Sequence, residues 1–234
     1  MTINRSLVDL STKPAEYFSQ PRPEMERFIP RTAKRILDVG CGEGIFGLRL
    51  KQGLGAEVWG VELVPSIAEV ARHRLDRVLC GDVMQQLEHI RDHYFDCVIF
   101  NDVIEHLVDP YRMLTAIKQK LAQGGVVVCS IPNIRYCRNL FDIVVRGQWR
   151  YQEGGILDKT HLRFFTKKSI FEMFESLGYR ILRLEGINAT SSWRVGVFNI
   201  ATFGYFGDTR YMQFGCVAEP LPTDSVEEDY ALKE

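Results

Sequence analysis

Asp38-Val39-Gly40-Cys41-Gly42-Glu43-Gly44-Ile45-Phe46-Gly47 follows a short apolar run, Arg35–Val39, and leads into Ile45–Gln52, whose apolar residues recur at helical spacing. A strand that ends in a glycine-rich turn and passes directly into a helix opens a βαβ unit, with bare backbone N–H groups at the positive end of the helix. Outward from this unit the same phrase recurs. Strand-like runs at Glu57–Glu62, Arg77–Cys80, Phe95–Phe100 and Val126–Ile131 alternate with helical candidates at Ser66–Leu75, Met84–Arg91 and Tyr111–Leu121. In Ser66–Leu75 the spacing puts Ile67, Val70, Ala71 and Arg74 on one face, with the non-polar members turned inward. Such alternation predicts an α/β fold, a parallel sheet covered by helices on both faces. Ligands of these sheets bind beyond the C-terminal ends of the strands, near the switch in strand order.

Composition limits the remaining choices. The chain has 234 residues, 46% hydrophobic and 25% charged, which suffices for a sizeable core and excludes disorder throughout. Net charge is −1, from 29 basic and 30 acidic residues, so nothing general draws it to nucleic acid or an anionic membrane. The longest uncharged apolar candidate, Val195–Gly207, is interrupted by Asn199 and Gly204 and falls short of the about 20 residues of a membrane span. The N-terminal MTINRSLVDLSTKP lacks the apolar segment of a signal peptide, and the six cysteines are far apart with no Cys-x-x-Cys pair; the expected location is the reducing cytoplasm. Residues 1–30 read as an N-terminal arm with a short helix near Glu24–Phe28, residues 31–219 as the main domain, and 220–234 as an acidic flexible tail. Within the domain, residues 132–165 form an insertion rich in arginine and aromatics. A helix at Lys167–Leu177 then starts on Thr166 and stops at Gly178, followed by closing strands Tyr179–Glu185 and Met212–Ala218.

Counted from Gly42, the turn matches the G-x-G-x-x-G of dinucleotide-binding sites. Its acids argue against a dinucleotide. Asp38 and Glu43 bracket the loop and would repel a diphosphate, whereas a cofactor carrying an ammonium and a sulfonium would be attracted. S-adenosylmethionine (SAM) has both. Glu62 ends the second strand, where a carboxylate can accept two ribose hydroxyls, and Asp82 follows the third, placed for an adenine amino group. Singly, each acid reads equally well as a cap or turn residue. Three at one edge of the sheet point to a binding site.

ILDVGCGEG, GVEL, CGDV and FNDVIEHLVDP, in that order and spacing, resemble the class I SAM-dependent methyltransferases. The resemblance extends from about residue 21 to about residue 183. It implies a Rossmann-like, seven-stranded, mostly parallel sheet with an antiparallel C-terminal hairpin. It further implies a cofactor site made of Asp38, Gly40, Cys41, Gly42, Gly44, Glu62, Leu63, Asp82, Val83 and Asn101, which releases S-adenosylhomocysteine as product. GILDKTHLRFFT followed by a helix and Gly-Tyr is similar to bacterial methyltransferases of polysaccharide (O-antigen-type) gene clusters, so the implied acceptor is a small molecule or a saccharide.

The residues after the fourth strand, Asn101-Asp102-Val103-Ile104-Glu105-His106, are the expected catalytic ones. Transfer to a hydroxyl requires removal of its proton, and His106 suits a general base, with Glu105 beside it and His161 as a second candidate. In the alternative reading Glu105 and His106 only cap a helix and His161 packs in a loop. Asp102, Glu105, His106 and His161 are also similar to the metal site of small-RNA 2′-O-methyltransferases, with Asp102 where those enzymes carry Glu. This set could hold a divalent cation that acidifies a bound hydroxyl.

In the insertion, Arg135, Tyr136, Arg138, Arg146, Trp149, Arg150 and Tyr151 suit stacking on a sugar and pairing with an anion. The plainer reading is an amphipathic lid helix with Leu140, Ile143 and Val144 on its apolar face. Tyr17, Phe18 and Arg22 are placed to close over the cofactor. Trp193–Phe206 reads as a core hairpin, or else as a dimer face or lipid-linked substrate groove. Two rival readings of the whole chain stand beside methyl transfer: a nicotinamide-type oxidoreductase and a non-catalytic SAM-binding protein.

Overall fold

A computed structural model describes residue 10 and residues 13–222. Its seven strands are β1 (Arg35–Val39), β2 (Glu57–Glu62), β3 (Arg77–Cys80), β4 (Phe95–Asn101), β5 (Leu121–Pro132), β6 (Tyr179–Ala189) and β7 (Tyr211–Pro220). They form one sheet in the order β3-β2-β1-β4-β5-β7-β6. The first five are parallel, and β7 runs antiparallel between β5 and β6. Central strands buried on both faces need apolar residues on both, and β4 shows how they divide. Val98 and Phe100 face a core with Leu37, Met113 and Phe174, while Cys97 and Ile99 face another with Ile36, Phe46 and Ala71. Chain order switches between β1 and β4, so their C-terminal ends part there and leave a cleft.

Helix ends follow local chemistry. Thr166 and Ser169 form a reciprocal capping box before Lys167–Ser176, and Gly178 (φ +67°) turns the chain into β6. The last turn of helix Pro110–Ile117 exposes carbonyls to the core, and the buried Tyr179 hydroxyl donates to that of Leu114 at 2.6 Å. Helix Pro65–Arg72 buries Ala68 and Ala71, with Leu75 just beyond it, and leaves Val70 36% exposed. Of the apolar residues expected to face inward, Ala71 is buried and Ile67 half-buried, while Val70 turns outward and Ala68 takes the inward place. The reason is close packing: Leu75 sits against Gly47 and Gly60, and small alanines allow that approach. The helix expected at Met84–Arg91 is one turn, Val83–Gln86, plus a 3₁₀ turn, Leu87–His89, because Ile90 swings extended into the core.

Trp193–Phe206 is not a core hairpin. β6 and β7 pair down to Ala189↔Tyr211, so the hairpin closes there and the segment extends past the end of the sheet. Trp193–Ala201 is a helix with no buried residue, and Phe203 beyond it is fully exposed. The insertion does carry a helix, Cys137–Val144, with Leu140 and Ile143 half-buried, but Val144 points outward at 77% exposure. The six cysteines are all free, and no described helix is long and apolar enough to cross a membrane. The acidic tail lies, from residue 223 on, outside the described residues.

Candidate active site

A cleft of about 440 Å³ opens at the C-terminal ends of β1, β2, β3 and β4. The glycine loop forms one wall. Gly42 has φ +54°, and a Cβ there would lie 2.4 Å from the Phe18 carbonyl oxygen; at Gly40 (φ +70°) it would lie 2.5 Å from Val103 Cγ2. Only glycine admits the backbone this closely from both sides. Glu62, at the end of β2, locks the loop: one carboxylate oxygen accepts the Gly42 N–H and the other that of Val64, both at 2.9 Å. Asp38 is 3% exposed and lines the cleft, with no hydrogen bond to its carboxylate among the described residues. Burial, with Glu62 nearby, pushes the Asp38 carboxyl up to about 7, and burial likewise raises Glu62. Asp82 caps the next helix by accepting the Met84 N–H at 2.8 Å and also lines the cleft, as do Cys41, Leu63, Val83 and Asn101. The Oδ1 of Asn101 is buried without a partner. Gly44 caps helix Ile45–Leu54 with φ +76° and is not among the lining residues.

Opposite the glycine loop the 3₁₀ turn Ile104–His106 brings Glu105 and His106 to the cleft, and the insertion brings His161. His106 Nδ1 lies 3.1 Å from the Thr160 carbonyl and His161 Nδ1 3.0 Å from that of Ile156. A carbonyl can only accept, so both Nδ1 atoms carry the proton and both Nε2 atoms present lone pairs. The His106 Nε2 is 3.2 Å from the Tyr17 hydroxyl; the His161 Nε2 is 3.8 Å from a Glu105 oxygen. Both Glu105 oxygens are buried with no hydrogen-bond partner among the described residues. Potential ligand atoms of Glu105, His106 and His161 lie within 4.8 Å of one another. Burial pushes Glu105 up to about 8 and, with His161 adding to it, holds His106 down at about 4; burial also lowers His161. At neutral pH both imidazoles are therefore neutral.

Asp102 does not join this cluster. Its Oδ1 accepts the Ser130 hydroxyl and the Gln213 amide, each at 2.7 Å, and Arg22 pairs with Oδ2. The four-ligand set suggested by the sequence is reduced to three. Glu43 is likewise occupied, by Arg74 at 3.1 Å, so the acids left facing the cofactor end are Asp38, Glu62 and Asp82. From the insertion the cleft receives Gly155, Ile156, Asp158 and His161, and none of the arginines or aromatics singled out there. Arg135 pairs with Asp208, and Trp149 and Tyr151 pack with Phe164. Sequence reasoning missed Lys13, Asp158, Met212 and Gln213. A buried Lys13–Asp158 pair spans 145 positions, and no spacing or motif signals it.

A family model described as a methyltransferase domain matches residues 15–184. A ubiquinone biosynthesis O-methyltransferase of Cereibacter sphaeroides (strain ATCC 17029) is 30% identical over 188 residues, covering 78% of this chain and 71% of that protein. One of the same description from Coxiella burnetii (strain RSA 331) is 27% identical and covers 70% and 71%. Another C. sphaeroides protein of this description is matched over 62% of its own length. A SAM-dependent methyltransferase from Archaeoglobus fulgidus superposes with a TM-score of 0.62 at 21% identity, covering 88% of this chain and 94% of that one.

The buried Glu105 gives a pH signature. Its pKa, raised from 4.5 to about 8, favours folding while the carboxyl is neutral in both states, and that contribution is lost as pH rises towards 8. Glu105→Gln should therefore melt close to wild type near pH 5 and above it at pH 8, both without ligand. Melting curves that stay parallel across this range would contradict the assignment.

Proposed function

The chain belongs to the class I SAM-dependent methyltransferases, and from that premise we propose that it O-methylates a small-molecule hydroxyl held against Glu105, His106 and His161. The observation that carries this reading is the Glu105 carboxyl group, buried and without a hydrogen-bond partner among the described residues, beside two imidazoles at the end of the cofactor cleft. Bound SAM supplies a methyl group on a sulfonium, which departs as a neutral thioether. The chain's residues fit that cofactor. Asp38 offers an unpartnered carboxylate for its positive groups, Glu62 keeps a second lone pair on each oxygen for ribose hydroxyls, and Asn101 offers an orphaned carbonyl. A diphosphate would face the buried carboxylates of Asp38 and Glu62, which disfavours the nicotinamide reading.

His106 takes the acceptor's proton on Nε2 as the acceptor oxygen bonds to the methyl carbon. Its Nδ1–H, fixed on the Thr160 carbonyl, sets that tautomer. Leu107, Val108, Ile156 and Met212 give the acceptor end of the cleft an apolar lining. This favours a flat, phenol-like acceptor over a bare saccharide. The curated relatives, named for ubiquinone biosynthesis, lend the same support.

A second reading has its own support: two imidazoles pinned through Nδ1 and one orphaned carboxylate form a donor set suited to a divalent cation. In that case Glu105, His106 and His161 would hold the ion, and the chemistry it would supply is Lewis acidity toward the acceptor hydroxyl. Chelation separates the two. With S-adenosylhomocysteine formation followed on a panel of phenols and sugars, the base reading expects activity to survive chelator and His106→Ala to cost about 10²–10⁴-fold. Loss on chelation, restored by added Mn²⁺, Zn²⁺ or Mg²⁺, would favour the cation.

For the cofactor, Asp38→Ala and Glu62→Ala should each weaken SAM binding by about 1–3 kcal/mol, as charge-assisted hydrogen bonds do. Calorimetric affinities of both variants within threefold of wild type would overturn the assignment.

A further inference from the structure

The segment from Lys13 to Arg22 crosses the mouth of the cleft and is tied to each of its walls. Lys13 Nζ lies 2.5 Å from an Asp158 oxygen and 2.6 Å from the Glu153 carbonyl, and the side chains of the pair are each only 2% exposed. Tyr17 meets His106, the Phe18 carbonyl accepts the Glu43 N–H at 2.9 Å, and Arg22 pairs with Asp102. These contacts join one strap to the insertion, the glycine loop and the turn after β4.

We propose that Lys13 and Asp158 are positioning residues: their ion pair latches this strap over the cleft and sets both histidines in place. Asp158 is the hub. Its Oδ1 accepts the Thr160 N–H at 2.9 Å and hydroxyl at 2.7 Å, and the Thr160 carbonyl in turn holds His106 Nδ1. The Asp158 carbonyl accepts the His161 N–H at 3.0 Å. One residue thus governs the loop on which both imidazoles depend. Lys13 neutralises it from the strap and also lies 5.2 Å from the centre of the Tyr17 ring. A buried carboxylate that loses the cation paired with it cannot keep the same geometry without cost. Because Phe18 lies over the glycine loop, the latch closes on the cofactor side as well. The strap must lift for the cofactor to exchange, and the acceptor residues are aligned only when it is down.

The consequence for catalysis rests on the acceptor-site reading above; the latch itself can be tested without an acceptor. The full chain, labelled with ¹³C/¹⁵N-histidine, is compared with Lys13→Met, Lys13→Arg and Asp158→Asn, using S-adenosylhomocysteine as probe. Lys13→Met should release S-adenosylhomocysteine at least about tenfold faster. It should shift the imidazole signals of His106 and His161 and leave those of His73, His89 and His93 in place. Lys13→Arg should preserve both behaviours. If Lys13→Met does not fold, Asp158→Asn, which keeps its shape and loses only the charge, is read in the same way. Unchanged release together with unchanged His106 and His161 signals in a folded variant would overturn the latch. Wild-type protein that fails to bind S-adenosylhomocysteine would instead count against the cofactor reading, while the histidine signals would still decide the latch.

Discussion

Glu62 accepts one backbone N–H from the glycine loop and one from the turn after β2, and much of the cleft depends on that double acceptance. It holds Gly42 where no side chain fits, and so brings bare backbone against the strap on one side and the cavity on the other. It also places a second buried carboxylate near Asp38, and burial raises the pKa of both groups. Two buried acids set near one another are a cost to the ligand-free fold. A cofactor with positive charge relieves that cost on binding, which makes the same feature a source of affinity and of discrimination against anionic dinucleotides.

The acceptor side repeats the logic with different residues. Neither Glu105 oxygen has a hydrogen-bond partner among the described residues; the His161 Nε2 lies 3.8 Å from one of them, and the His106 Nε2 meets the Tyr17 hydroxyl. Backbone carbonyls at Thr160 and Ile156 orient the two imidazoles, so a stretch of irregular chain fixes tautomers as firmly as a helix would. Buried groups of this kind lower stability and are held by the surrounding structure, which is the usual state of a working site.

The parallel sheet and its acids were legible because they are local. Strands β1 to β4 each announce themselves as an apolar run, and the residues of interest lie at or just past their C-terminal ends: Asp38, Glu62, Asp82, Glu105. Where the reading went astray, long-range packing overrode local pattern. Ala68 rather than Val70 faces the core because Leu75 requires a close helix, and Trp193–Phe206 lies outside because β6 and β7 have already closed their pairing. Asp102 matched a ligand pattern in sequence but is taken up by Ser130, Gln213 and Arg22 from three other parts of the chain. The Lys13–Asp158 pair had no local signal at all; only the fold brings the two residues together.

The central claim is that this acidic cleft is built for a cationic cofactor. It is met most directly by thermal denaturation of the wild-type chain with SAM and with NAD at matched concentration. At a hundred times its dissociation constant a ligand adds about 2.7 kcal/mol, roughly 5–10 °C for a chain of this size. A rise of that order with SAM and none with NAD is the expected result. A rise with NAD alone would contradict it, because Asp38 and Glu62 would then be tolerating a diphosphate in the place assigned here to positive charge.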